Sequence, residues 1–206
     1  MSFTVGFDLD MTLIDPRPGM VELFDVLTSE TGVPLDGKAF VTRLGPPLTD
    51  EFARYGIVGE AAEDLIERYR ARYADIVIPA TVAMPGALHA VRSVTDRGGE
   101  VIVVSAKHAR HVQGHLDALG IEVSAVAGEL WSTGKAQALT ERRAEVYVGD
   151  HVGDVAGARA ADALAVGVAT GPMTVQDLAA AGADVVLEDL TQFPAWLDSY
   201  LLATVH

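Results

Sequence analysis

The stretch Phe3-Thr4-Val5-Gly6-Phe7-Asp8-Leu9-Asp10-Met11-Thr12-Leu13-Ile14-Asp15 decides how the rest of the chain reads. Its apolar run (Phe3, Val5, Phe7) stops abruptly at Asp8-Leu9-Asp10-Met11-Thr12. A short apolar run bounded by polar residues predicts a buried strand, and open α/β sheets place ligands at the carboxyl ends of their parallel strands. Two carboxylates two residues apart repel each other unless a cation lies between them or one carries a proton. A lone pair of this kind also fits a solvated acidic loop. The polar residues that follow later strand-like runs decide between the two readings.

From Pro85 onward helix and strand patterns alternate. Helices are predicted at 86–97, about 108–119, 134–143, 153–161, 174–181 and from about 190, with strands at 100–104, around 123–126, and at 145–148, 164–168 and 184–187. Such alternation implies βαβ units and a parallel sheet with right-handed crossovers. Residues 18–80 break the alternation and read as helical. Met20, Leu23, Phe24 and Leu27 recur at helical spacing, as do Leu65, Ile66, Tyr69 and Tyr73, with Gly32-Val33-Pro34 and Gly45-Pro46-Pro47 as punctuation. The expected fold is α/β: a Rossmann-like parallel sheet core from residues 1–15 and 82–206, with a helical domain inserted at 16–81. Prolines bracket the insert, which places the hinges at Ile14–Pro18 and Thr81–Pro85.

Composition narrows the function classes. The chain has 206 residues, 50% of them hydrophobic and 21% charged, which permits a substantial core. Cysteine is absent, so disulfides, thiolate catalysis and cysteine-rich zinc sites are excluded. With 29 acidic against 15 basic residues the net charge is −14. Nucleic-acid binding rests on neutralising phosphates with Lys and Arg, so no nucleic-acid partner is expected. The same field opposes long-range attraction of an anionic substrate, which local cations or a bound metal must then overcome. No apolar run approaches the ~18 residues a membrane span needs, and no basic segment leads into an apolar one at the N-terminus. A cytoplasmic location without a membrane partner is the expectation; the oligomeric state stays open.

Polar groups do recur at the ends of the other strands. Ser105 follows Val101-Ile102-Val103-Val104, Lys135 ends Ser132-Thr133-Gly134-Lys135, and Asp150 and Asp154 follow Val146-Tyr147-Val148-Gly149. Together with Phe7-Asp8-Leu9-Asp10-Met11-Thr12 these resemble the four motifs of the haloacid dehalogenase-like hydrolase superfamily, in its phosphatase branch, over nearly the whole chain. The resemblance, nearest to the phosphoglycolate phosphatase-like subgroup, implies a Mg²⁺-dependent hydrolysis of a small phosphorylated metabolite through an aspartyl-phosphate, with the insert as a type one cap. Asp8 is then the nucleophile, because a carboxylate can attack phosphorus and split hydrolysis into two easier displacements. Asp10, on the same side of an extended chain, would protonate the leaving oxygen and then activate water, while its backbone carbonyl binds the metal. Thr12, Ser105 and the Ala106 N–H would hold phosphoryl oxygens, and Lys135 would hold Asp8 and the phosphoryl group by charge. Asp150 would bind Mg²⁺ together with Asp8, with Asp154 behind it; an all-oxygen set suits Mg²⁺ better than zinc. Ala106 stands where relatives often carry Asn, and Met11 where Gly is usual.

Several residues compete for roles. Gly128 to Lys135 imitates a phosphate-binding P-loop, but five residues separate its glycines and Ala136 replaces the Ser/Thr. Lys107 is the rival cation to Lys135. His108, His111 and His115 suggest a metal face, but no third ligand is evident and a solvated helix face is expected. Arg43-Leu44-Gly45-Pro46-Pro47-Leu48 is similar to the cap segment of phosphoglycolate phosphatase-like members, which makes Arg43 a candidate for a substrate carboxylate; Arg17, Lys38 and Tyr55 are weaker ones. Rival functions are a sugar-phosphate mutase of the same fold, similar to beta-phosphoglucomutase, and a phosphorylatable receiver-like switch. The D-x-D-x-T spacing and the helical insert weigh against the switch.

Overall fold

Strand β1 (Thr4–Phe7) is buried along its whole length at the centre of a parallel sheet. The structure is a computed structural model and describes residues 3–204. Along the chain follow β2 (Ile14–Asp15), α1 (Arg17–Thr31), α2 (Gly37–Phe40), α3 (Leu48–Ala53), α4 (Glu60–Ile76) and β3 (Val82–Ala83). Next come α5 (Ala87–Thr95), β4 (Glu100–Val104), α6 (Ala109–Leu119), β5 (Ala125–Ala127), a 3₁₀ turn at Ser132–Lys135 and α7 (Ala136–Glu141). The chain ends with β6 (Val146–Gly149), α8 (Val152–Ala160), β7 (Leu164–Val168), α9 (Val175–Ala180), β8 (Val185–Leu187) and α10 (Phe193–Thr204).

The large sheet has six parallel strands in the order β5-β4-β1-β6-β7-β8, so the expected α/β fold is what forms. Val5 pairs with Val101 of β4 on one side and Val146 of β6 on the other. These strands are near-continuous apolar runs because helices cover both sheet faces. The chain runs β1, β4, β5 outward in one direction and β6, β7, β8 in the other. The order therefore reverses between β1 and β6, the crevice where open sheets bind ligands. Asp8 follows β1 and Asp150 follows β6, which puts both carboxylates at that reversal.

The insert has its own apolar cluster, with Met20, Leu23, Phe24 and Leu27 of α1 against Phe52, Leu65, Tyr69 and Tyr73. Phe24 stacks on Phe40 at 4.4 Å between centroids, and Gly32 (φ 74°) closes α1 in the left-handed conformation. The two predicted hinges are not free linkers. Ile14 and Asp15 pair antiparallel with Ala83 and Val82, and Met84 N–H donates to the Leu13 carbonyl. Two-residue strands lie below the reach of periodicity, so this ribbon had no signal in the sequence. Met11, in the turn after β1, takes φ 58° and buries its side chain in the insert's cluster. A left-handed non-glycine residue costs roughly 1–2 kcal/mol, and the apolar burial of Met11 offsets it.

Candidate active site

Lys135 stands at the middle of the site. Its ammonium, almost fully buried, donates to Asp8 Oδ1 at 2.8 Å, Asp154 Oδ1 at 2.6 Å and the Tyr147 hydroxyl at 2.8 Å. Tyr147 in turn donates to the Val104 carbonyl at 2.6 Å. A Cβ on Gly6 would come within 2.8 Å of the Tyr147 ring, so the glycine in β1 makes the room that lets this hydroxyl reach Lys135. Burial pulls the lysine's pKa down, but Asp154 and Asp8 outweigh it and hold the ammonium well above its ordinary value. The structure thus sets Lys135, rather than Lys107, on Asp8.

The carboxylates divide into two groups. Asp8, Asp150 and Asp154 can each offer an oxygen within 4.8 Å of the others. Burial raises Asp8 above the usual carboxylate range while Lys135 opposes the rise. Asp150 is raised well above it by burial and by Asp154 and Asp8. Asp154 is the most committed of the three, since its second oxygen accepts the His151 N–H at 3.1 Å at the start of α8. A Cβ on Gly171 would fall 1.7 Å from Asp150 Oδ2, so only glycine admits that carboxylate there. The side chain of Asp10 lies outside this set. Its Oδ2 meets Lys107 at 3.0 Å and its buried Oδ1 has no hydrogen-bond partner, leaving only its backbone carbonyl for the expected metal role. Burial raises Asp10 too, against the pull of Lys107.

Thr12 takes a different place from the one expected. It is fully buried, its hydroxyl donates to Asp150 Oδ1 at 3.1 Å, and it lines neither cavity of the site. In this arrangement its hydroxyl is directed at Asp150. Ser105, Ala106, Asp8, Asp10 and Lys135 do line the inner cavity, a space of about 20 Å³, with Leu44, Gly45 and Trp131 above them. Arg43 is likewise engaged within the insert. It is bound to Glu51 at 2.6 Å and lines neither cavity.

The contacts that other residues make at the site had no clear sequence signal. Lys107 donates to the hydroxyl of Tyr73, on α4 of the insert, which lies 2.9 Å from His115 Nε2. His111 stacks on the Tyr73 ring at 4.3 Å. The expected solvated histidine face is therefore wrong for two of its three members, because α4 packs over α6 and buries them. Trp131, 5.0 Å from the His151 ring, carries the insert's loop, where a Cβ on Gly45 would come within 2.9 Å of the indole.

This arrangement agrees with comparisons to known proteins. The haloacid dehalogenase-like hydrolase family model matches residues 5–159, and a HAD-hydrolase-like model matches 129–193. The chain belongs to the haloacid dehalogenase-like hydrolase family. It is 25% identical to the phosphoglycolate phosphatase of Caulobacter vibrioides, over 93% of this chain and 89% of that one. It is 28% identical to the phosphoglycolate phosphatase of Rhodospirillum rubrum, over 96% and 91%. The crystal structure of a predicted phosphatase from Clostridium acetobutylicum superposes with a TM-score of 0.83 at 22% identity, over 96% of this chain and 98% of that one.

Proposed function

We propose that the protein is a Mg²⁺-dependent phosphatase that hydrolyses a small-molecule phosphate monoester through an aspartyl-phosphate on Asp8, with residues 16–81 as a cap over the site. One observation carries the reading: Lys135 binds Asp8 and Asp154 beside Asp150, in a buried cluster where the strand order reverses. The donor set fits the ion. Three buried carboxylates with converging oxygens form a hard, all-oxygen site, and burial and mutual repulsion favour a divalent cation among them. Asp8, Asp150 and Asp154 would hold it, with the backbone carbonyl of Asp10. Bound Mg²⁺ would supply charge neutralisation at the phosphoryl oxygens.

The chain's own groups provide the remaining chemistry. An Asp8 carboxylate oxygen bonds to phosphorus as the ester P–O bond breaks, and the alcohol oxygen takes a proton from Asp10. Burial suits Asp10 to carrying that proton, and its unpartnered Oδ1 is where the proton can sit. Water then gives its proton to Asp10 and attacks phosphorus, the bond to Asp8 breaks, and inorganic phosphate leaves with the carboxylate restored. Ser105 and the Ala106 N–H border the inner cavity and donate to phosphoryl oxygens.

Phosphate release from a panel of phosphorylated metabolites tests the proposal. Multiple turnovers with Mg²⁺, none with chelator, and loss of at least about 10³-fold in Asp8→Asn are expected. Activity of Asp8→Asn near wild type would overturn the nucleophile. Release that stops at one phosphate per protein would point to a receiver-like switch instead.

A further inference from the structure

Beyond Asp10, on the side where the alcohol half of the ester must lie, a cavity of about 210 Å³ opens between the helical insert and the sheet. Its walls are largely apolar, with Met20, Phe40, Leu44, Ile66, Tyr69 and Trp131 among them. The charged groups that border it are already matched. Lys107 pairs with Asp10 at 3.0 Å, and Arg70 pairs with Glu129 at 2.9 Å. His108 accepts the Arg110 N–H through Nδ1, and burial lowers the His111 pKa to about 4, so that ring is neutral near pH 7. Arg43 is on Glu51 and outside the cavity. Among the described residues each ammonium or guanidinium lining this space already has a hydrogen-bonding partner, Lys107 in Asp10 and the Tyr73 hydroxyl, Arg70 in Glu129.

A carboxylate placed here would lose its water and would have to draw Lys107 or Arg70 away from partners they already hold, which is unfavourable. An apolar group would gain burial instead. An apolar cavity of about 150 Å³ accepts benzene, so this one holds a single ring with a short linker. We propose that the substrate is the phosphate monoester of an uncharged, apolar alcohol of about one-ring size, and not an ester whose alcohol carries a carboxylate. The inference rests on the phosphatase reading above, and separates this chain from the two relatives whose names specify phosphoglycolate.

The test compares kcat/KM with Mg²⁺ for benzyl phosphate, ethyl phosphate and 2-phosphoglycolate. All three leave as aliphatic alcohols, so the cavity decides the order. Benzyl phosphate is expected to exceed 2-phosphoglycolate by at least about tenfold, the lower end of what one apolar pocket contact contributes, with ethyl phosphate between them. Ile66→Lys, which adds a cation to the wall, is expected to lower the benzyl-to-phosphoglycolate ratio by about tenfold or more. The wild-type order stands as a test even if that variant does not fold. Equal or better turnover of 2-phosphoglycolate by wild type would overturn the inference and leave the phosphatase reading intact. No Mg²⁺-dependent release from any of the three, or from the wider panel, would overturn both.

Discussion

Lys107 ties the candidate acid to the insert: its Nζ lies 3.0 Å from Asp10 Oδ2 and donates to the Tyr73 hydroxyl at 2.5 Å. With Lys107 donating to it, Tyr73 has its own proton free for His115 Nε2 at 2.9 Å. The donor chain runs from an ammonium on the core, through a hydroxyl on α4, to a ring on α6. Asp10 is thus held by a group whose other partner belongs to the insert.

Tyr73→Phe removes that shared hydroxyl and leaves His115 Nε2 and part of the buried ammonium without partners. An orphaned buried polar group costs about 1–3 kcal/mol, and for a chain of this size each kcal/mol moves the melting temperature by about 2–4 °C. A fall of several degrees is expected in thermal unfolding. A shift within one degree would show that the chain contributes nothing to stability.

Lys135→Met leaves Asp8 and Asp154 facing each other without their cation. Removing one partner of a buried ion pair costs about 3–5 kcal/mol. Adding Asp154→Asn to that variant is expected to restore part of the loss, since the two sites are in contact and do not behave additively. Chemical denaturation in chelator of the two single variants and the double variant measures the coupling. Strict additivity would mean that the ion pair is not what stabilises the pocket.

Acid should weaken the contact between insert and core. Burial, then the nearby Lys107, lowers His111 to about 4 and His115 to about 3, from 6.5 when unfolded; Arg110 adds to the effect on His111. The unfolded chain binds the extra protons first, so these rings contribute stability that is fully present above 6.5 and lost as the pH falls toward their folded values. Each pH unit below 6.5 costs roughly 1.4 kcal/mol per histidine. His115→Leu is expected to flatten the dependence of unfolding free energy on pH between 6.5 and 5. An unchanged slope would remove His115 as its source.

Mg²⁺ should stabilise the folded protein through Asp150. Binding to the native state alone contributes ~2.7 kcal/mol at about a hundredfold excess over Kd, or several degrees of melting temperature. Asp150→Ala is expected to abolish that rise. In chelator the same variant should melt at or above wild type, because a carboxylate crowded by Asp154 and Asp8 is gone. An equal Mg²⁺ shift in both proteins would remove Asp150 from the ligand set.

Local pattern was enough for the sheet and for the polar residues at its strand ends. The runs at 100–104 and 164–168 form strands with those bounds, because side chains buried on both faces leave a near-continuous apolar signal. Asp8, Ser105, Lys135 and Asp150 stand directly after or between such runs, so their order along the chain already implied convergence at one sheet edge. What a side chain touches across the fold was decided elsewhere. Lys107 and Tyr73 are 34 residues apart, and Arg43 meets Glu51 rather than a cavity. Thr12 turns to Asp150 because the turn after β1 folds back on Leu9. His111 and His115 read as a polar helix face, yet α4 covers them, since periodicity describes one helix and not the element that packs on it. Only the tertiary structure brings the insert over Asp10 and pairs the cations around the cavity, because both depend on contacts between residues far apart in the chain.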